Sequence, residues 1–330
     1  MGTHESEAPA KIAVVGGGRL GEAVALSLQS GGAYRVVVFE SDEERQGHLA
    51  AQGLECRDLG PSLRGALERN LDGVSAVVSV ASASVAPEVA RLARDAGCHY
   101  VDANEDIAAR SAVMDVARAS DTGFAIGCGL APGLVSVLLE DMIARSGESA
   151  EVTAFVGVLP EQATNKLGYA NMWGLDGLMS EYFGPCKALA GNGVTELPAL
   201  SRLEDVTVLG QRFEAFTTAG SIDEIVERHQ GRLRSLVFKT LRHPGHLEMI
   251  RFLLEDLRLS ERRYMFRNLL MNGLPQVSED MVVISFRARI VSGSDAGTTE
   301  ERAWSLRFLP GDRRLGGRLA AGPPLRGPAA

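Results

Sequence analysis

Gly16, Gly18 and Gly21 stand at the spacing G-x-G-x-x-G, with Arg19 and Leu20 between the last two glycines. That spacing suits one chemistry, the cradling of a pyrophosphate by backbone N–H groups. The first glycine permits a tight turn. The second lets the backbone approach the phosphates, and the third lets the following helix pack close to the preceding strand. The helix then meets the phosphates with the positive end of its dipole. Glu40 closes the next apolar run. A carboxylate there accepts both ribose hydroxyls and repels a 2′-phosphate, so the expected cofactor is NAD, with NADP kept open by the nearby Arg45.

Two further segments could serve the same cofactor. Ala81 and Ser82 follow an apolar run and either line the cofactor groove or simply make a tight strand-to-helix turn. Gly127 to Gly133 follows another apolar run and precedes a helix with an apolar stripe. It is expected to bring backbone N–H groups, Cys128 and Pro132 near a nicotinamide. Cys128 has no adjacent base in sequence, which favours packing over a nucleophilic role.

A second group of residues carries charge and proton-transfer capacity. Lys239, Arg242, His243 and His246 form the densest charged cluster of the C-terminal half. Pro244 and Gly245 interrupt any helix between the two histidines, so they do not share a helical face and no metal site is expected. Asp102 and Glu105 lie just past a short apolar run, where doubly wound folds place ligands. Asp102 is a candidate to hold a substrate amine; a helix cap or loop carboxylate is the alternative, and the preferred one for Glu105. Tyr169 and Trp173 are four apart and read as packing or as pocket walls. Glu181 either meets a cationic amine or sits on a solvated helix face.

The elements that must position these residues alternate in the first half. Lys11–Val15, Arg35–Glu40, Leu54–Asp58, Ser75–Val80, His99–Asp102 and Gly123–Gly127 read as strands, and helices of about ten residues separate most of them. Continuously apolar strands alternating with helices predict a doubly wound parallel sheet covered on both faces. The character changes after about Ala150. Strands are expected at Glu151–Val158, Val206–Leu209, Phe213–Thr217, Arg234–Thr240 and Met281–Ile290, and Val291 and Trp304–Phe308 could pair through a Gly293–Gly297 turn. Helices are expected only at Leu175–Phe183 and His246–Glu255. The fold class is therefore α/β, an N-terminal Rossmann domain plus a second α/β domain with a mixed or antiparallel sheet. The expected divisions are 1–10 flexible, 11–135 dinucleotide-binding, 136–310 substrate-binding and oligomerisation, and 311–330 a disordered tail. That tail holds Pro323-Pro324, five glycines and four arginines.

Composition narrows the function classes. The chain has 330 residues, 45% apolar and 23% charged, with net charge −8. A net-negative chain has no general electrostatic pull toward nucleic acid, and no nucleic-acid partner is expected. No apolar run reaches the length of a membrane span, so no membrane partner is expected either. Four cysteines without CxxC or zinc spacing, and an N-terminus with no apolar leader region, fit a cytoplasmic address.

The motifs taken together resemble the saccharopine dehydrogenase-like family, which includes the L-lysine 6-dehydrogenases, saccharopine reductases and carboxynorspermidine dehydrogenases. The carrying segments are the Gly16–Gly21 turn, Tyr100-Val101-Asp102, Gly127-Cys128-Gly129-Leu130-Ala131-Pro132-Gly133-Leu134, and Asn165-Lys166-Leu167-Gly168-Tyr169 with Trp173, Glu181 and Tyr182. Glu214 to Gly220 and Lys239 to His246 complete them. The resemblance implies an NAD(P)-dependent oxidoreductase acting on a carbon–nitrogen bond of a small amino-acid substrate. It also implies a homo-oligomer, a dimer or tetramer. Three departures touch this expectation. Lys166 stands where the family often has proline, His243 where it has tyrosine, and the 311–330 tail where family chains carry a helical return to the first domain.

Within that resemblance the closest look is to L-lysine 6-dehydrogenase, which would oxidise the lysine ε-amine to allysine with release of ammonia. His243, His246 and Asp102 are then the catalytic candidates. Lys239 and Arg242 would clamp the substrate carboxylate, with Tyr169, Trp173 and Glu181 around the substrate. The alternatives are a reductive condensing dehydrogenase of the saccharopine or carboxynorspermidine type, and a catalytically inactive dinucleotide-binding homologue.

Overall fold

The computed structural model describes residues 9–308 apart from 148, 149, 164, 172–174, 192, 221, 278, 279 and 293–297. Trp173, the Gly293–Gly297 turn and the 311–330 tail lie outside the described residues. The chain divides into two compact units, the first ending at Leu134 and the second beginning at Val135.

In the first unit, strand follows helix as the apolar runs require. The order is β1 (Ala10–Val15), α1 (Arg19–Ser30), β2 (Tyr34–Glu40), α2 (Glu43–Ala51), β3 (Glu55–Asp58), α3 (Leu63–Glu68), β4 (Ala76–Ser79), α4 (Ala86–Asp95), β5 (His99–Asp102), α5 (Ile107–Arg118) and β6 (Phe124–Ala125); α6 (Leu134–Ser146) starts at the boundary and belongs to the second unit. All five strand pairings are parallel, in the order β3-β2-β1-β4-β5-β6. Helices on both faces explain why β1 and β2 are buried on both sides. Val14, Val36 and Val38 pack on one side with Ala25 and Leu49. Ala13, Val15, Val37 and Phe39 pack on the other with Val77, Val89 and Tyr100. Each such buried side chain contributes about 1.5–3 kcal/mol. Strand order reverses at β1 and β4, so the crevice where such sheets take ligands lies at the carboxyl ends of those two strands. Asp42, Ser62 and Asp106 cap α2, α3 and α5 by accepting from Arg45, Gly65 and Ala109 N–H. The short α3 is absent from the sequence reading.

The second unit holds an eight-stranded mixed sheet. Its elements are β7 (Glu151–Pro160), α7 (Leu175–Phe183), β8 (Cys186–Ala190), β9 (Gly193–Leu197), β10 (Glu204–Val208), β11 (Gln211–Phe216), α8 (Asp223–Arg228), β12 (Ser235–Arg242), α9 (His246–Arg251), α10 (Arg263–Gly273), β13 (Asp280–Ser292) and β14 (Thr298–Phe308). The main path runs β10-β11-β12-β7-β13-β14, with β8 joined to β12 and β9 to β8. Among the described strands of this sheet only β12 and β7 pair in parallel. The expected helix over His246–Glu255 begins on time but changes after Arg251 into a π turn over Phe252–Asp256. The hairpin β8–β9 and helices α8 and α10 go beyond the sequence reading. One sheet face carries Phe155, Leu159, Phe213, Leu241 and Met281. Tyr169, Tyr182, Phe216, Leu247 and Phe266 form a separate core with α7, α9 and α10.

Candidate functional site

In the first unit the site is made of backbone. Gly16 adopts φ +104, and a Cβ there would come within 3.0 Å of the Val80 carbonyl. A Cβ on Gly21 would stand 1.9 Å from the Gly16 carbonyl oxygen. A Cβ on Gly18 would meet nothing within 4 Å, so that position opens toward space a ligand can enter. Gly18 is also the N-cap of α1 and supplies no side-chain acceptor, leaving the first-turn N–H groups to a phosphate. Arg19 and Leu20 are exposed at the start of that helix. These features fit a dinucleotide pyrophosphate.

Glu40 is tied into the same turn. Its Oε2 accepts from Gly17 N at 2.7 Å, and its Oε1 accepts from Ser41 N at 2.7 Å and Asp42 N at 3.0 Å. Burial opposes ionisation, yet these donors hold the carboxyl below its ordinary value. Ser41 Oγ also donates to Oε1 at 3.4 Å, so Oε1 is filled and Oε2, held by Gly17 alone, is the oxygen with room for a ribose hydroxyl.

At the far end of the sheet Asp102 is a latch. It is 1% exposed. Its carboxylate accepts from Tyr100 hydroxyl at 3.0 Å, Asn104 N at 3.2 Å and Gly127 N at 2.8 Å. Its carbonyl accepts from Cys128 N at 2.6 Å. Both oxygens serve the protein, so the geometry gives Asp102 a scaffolding task in place of the expected grip on a substrate amine. Cys128 is exposed overall, but partial desolvation of its sulfur and then the Asp102 charge push its thiol up, away from a reactive thiolate. The Ala131–Pro132 peptide is cis. Ala81 and Ser82 follow β4 at the strand-order reversal, with Ser82 Oγ 3.0 Å from Ser84 Oγ.

In the second unit the candidate site is made of side chains. Arg242, 2% exposed, donates from one terminal nitrogen to Thr240 Oγ1 at 2.6 Å and the Leu241 carbonyl at 3.0 Å. From the other it donates to Glu181 Oε2 at 2.9 Å. Its Cζ lies 4.9 Å from the Tyr169 ring centroid. Its Nε is buried and meets no acceptor. Burial pushes the Glu181 carboxyl up, and Arg242 pulls against that. His246 is fully buried among Tyr169, Tyr182 and Phe216. Its Nδ1 faces the Leu167 carbonyl at 2.8 Å, and its Nε2 faces the Tyr182 hydroxyl at 2.7 Å. A carbonyl only accepts, so Nδ1 carries the proton and Nε2 accepts from Tyr182. Burial, then the Arg242 charge, pushes His246 down to about 3, and burial pushes Tyr182 up to about 12. His246 is thus a neutral, fully engaged ring. Glu214, also buried, accepts from Gly245 N at 2.9 Å and from Leu247 N, which fixes the turn into α9.

The charged cluster read along the sequence divides across β12, because successive strand side chains point to opposite faces. Arg242 and Thr240 belong with Glu181. Lys239 lies on the other side and donates to Glu204 Oε1 and the Arg202 carbonyl, both at 2.7 Å. The expected pairing of Lys239 with Arg242 as one carboxylate clamp therefore does not form. His243 packs at a tilt against Phe213, a member of the Leu241 cluster, with ring centroids 6.2 Å apart, and its Nε2 donates to the Pro160 carbonyl at 3.0 Å. Among the described residues no group of three or more His, Cys, Asp or Glu is placed to hold a metal, and no helix is long and apolar enough to cross a membrane.

Comparison with known proteins decides the family. Residues 12–125 match the model of the saccharopine dehydrogenase NADP binding domain, and residues 129–308 match that of the saccharopine dehydrogenase C-terminal domain. The chain belongs to the saccharopine dehydrogenase family. An apo saccharopine dehydrogenase (L-Glu forming) from Saccharomyces cerevisiae shares its fold at TM-score 0.73 and 18% identity, over 91% of this chain and 85% of that one. UDP-N-acetylglucosamine 3-dehydrogenase GnnA from Acidithiobacillus ferrooxidans is a looser match, TM-score 0.43 and 15% identity over 95% and 87%.

As a saccharopine dehydrogenase family member the chain is an NAD(P)-dependent oxidoreductase, and the Gly16–Gly21 turn is where its residues fit the dinucleotide. Sequence reasoning missed the roles of Tyr182, Glu214 and Gly17. Tyr182 was visible only as part of a motif. The role of Glu214 needed the β11–β12 register, which sets it opposite Arg242.

Proposed function

We propose that the chain oxidises a carbon–nitrogen bond of an amino acid, most specifically the ε-amine of lysine to allysine with NAD. The observation that carries the substrate class is the orphaned Nε of buried Arg242, beside a terminal nitrogen already held by Glu181. Nε–H and the adjacent terminal N–H form the edge of a guanidinium that grips a carboxylate in a bidentate way. A carboxylate beside that edge and an ammonium beside Glu181 together describe an α-amino-acid head group. Arg242 supplies the positive partner, Glu181 the negative one, and Tyr169 covers the guanidinium.

His246 serves this pair as a positioning residue. Its Nδ1–H is spent on Leu167, and its Nε2 fixes the Tyr182 proton, so the ring neither gives nor takes a proton in the neutral range. A dinucleotide held at the Gly16–Gly21 turn would supply the hydride acceptor for the amine-bearing carbon. The iminium left on the substrate then adds water and releases ammonia, and the chain's part is to hold the head group while that occurs.

The test is NADH absorbance on mixing the full chain with NAD and a panel of amines, lysine first. Reduction with lysine supports the reading. Silence with NAD and every amine, but oxidation of NADPH with an amine plus a keto acid or aldehyde, replaces it with a reductive condensing enzyme. Binding without turnover across both panels replaces it with an inactive homologue.

A further inference from the structure

The phosphate turn is gripped from two sides by opposite charges. Gly17 N–H donates to Glu40, and the Gly17 carbonyl accepts from Arg45 Nε at 2.9 Å. Arg45 also donates from a terminal nitrogen to Glu22 Oε2 at 2.6 Å. The other Glu22 oxygen lies 3.0 Å from His48 Nε2. Asp42 ties the two grips together, since its N–H donates to Glu40 and its Oδ1 accepts from Arg45 N at 2.8 Å. Glu40 and Arg45 therefore sit two hydrogen bonds and one glycine apart, both fixed to the turn that meets the phosphates.

Their spare capacities differ. Glu40 has about one acceptor position left, on Oε2 beside Gly17. Arg45 has five N–H donors, and its contacts occupy one on Nε and one on a terminal nitrogen. Its side chain is 29% exposed and its counter-ion Glu22 20% exposed. The hydrogen bond from Arg45 is the leading reason the Glu22 carboxyl lies below its ordinary value, with His48 a lesser one, so Glu22 keeps its charge and its hold.

We propose that Arg45 admits a 2′-phosphorylated dinucleotide and that Glu22 withholds it. Cofactor choice in this chain is then set by an exchange of Arg45 between Glu22 and the adenosine 2′-phosphate. Glu40 weighs against the phosphate by charge, Arg45 weighs for it, and Glu22 decides how much of Arg45 is free. The inference rests on the dinucleotide reading of the glycine turn and adds a residue on α1 that no ribose-facing position would suggest.

The experiment is isothermal titration calorimetry of the full chain with NAD and with NADP. The unmodified chain is expected to bind both, NAD more tightly. Glu22→Gln is expected to tighten NADP about tenfold and leave NAD within about twofold. Arg45→Gln is expected to weaken NADP about tenfold with a small effect on NAD, and in the double variant the gain from Glu22→Gln disappears. Arg45→Lys keeps the charge without the fork and should retain part of the NADP affinity, which separates charge from a damaged turn. Arg19→Gln, at the helix start that meets the phosphates common to both cofactors, should weaken the two alike. An unchanged NADP-to-NAD ratio in Glu22→Gln, or an equal loss of both cofactors in Arg45→Gln and Arg45→Lys, overturns the proposal alone. An unmodified chain that binds neither dinucleotide overturns the cradle reading beneath it.

Discussion

The first unit builds its site from backbone, and the second builds its site from side chains. In the first, glycines clear the space and N–H groups do the binding, so what matters is the absence of atoms at Gly18 and Gly21. In the second, Arg242 pairs with Glu181 and Tyr182 with His246 in a buried cluster that leaves Arg242 Nε open, so what matters is that each partner is present. A backbone site announces itself as a spacing. A side-chain site appears only when strands and helices bring distant residues to one place.

Breaking the second site should have the largest effect on stability. Glu181→Ala leaves a buried guanidinium without its counter-ion and is expected to cost about 3 kcal/mol. Chemical denaturation reads that loss, while dinucleotide affinity of the folded fraction stays within about twofold. Breaking the first site falls on dinucleotide binding. Gly21→Ala forces a methyl against the Gly16 carbonyl and should weaken dinucleotide binding roughly a hundredfold, about 3 kcal/mol. Gly18→Ala meets no protein atom, so it should melt like the unmodified chain yet bind dinucleotide more weakly. Equal melting and equal binding would show that Gly18 does not face the ligand.

Tyr182→Phe is a finer probe of the second site. It removes the donor to His246 Nε2 and is expected to cost about 1–2 kcal/mol. pH gives a further handle. His246 is held near 3 in the folded chain and near its ordinary 6.5 when unfolded. The unfolded state therefore binds the extra proton as pH falls below 6.5. Stability from this group is complete above that value and is lost progressively toward about 3, by about 1 kcal/mol between pH 7.5 and 5.5. Urea titrations at the two pH values, compared with His246→Gln, isolate that slope; identical slopes would mean the ring is not held neutral. The smallest effect is expected from Lys239→Met. It lies across β12 from Arg242, and Glu204 keeps Arg287 at 3.1 Å, so stability should fall by about 1 kcal/mol and the turnover of an amine substrate should be little changed.

Much of the first unit was legible in the sequence because its strands are continuous apolar runs and its ligand turn is a run of glycines. The short α3 escaped because six residues give little periodicity. In the second unit Leu175–Phe183 was read to the residue, and the β13–β14 pairing was anticipated. The face split at Lys239 was missed because the expected strand stopped at Thr240, two residues before Arg242. Alternation carried through to Arg242 would have separated them. The engagement of His246 had no sequence signal, since Leu167 lies far away in the chain and offers only a backbone carbonyl.

Asp102 carries one more consequence. By holding Tyr100, Asn104, Gly127 and Cys128 at once, it joins the end of β5 to the loop after β6. The amide hydrogens of Gly127 and Cys128 should therefore exchange with solvent slowly, although Cys128 is exposed. A molecule arriving there meets a rim already stiff, and little of its binding energy goes into organising the edge it lands on.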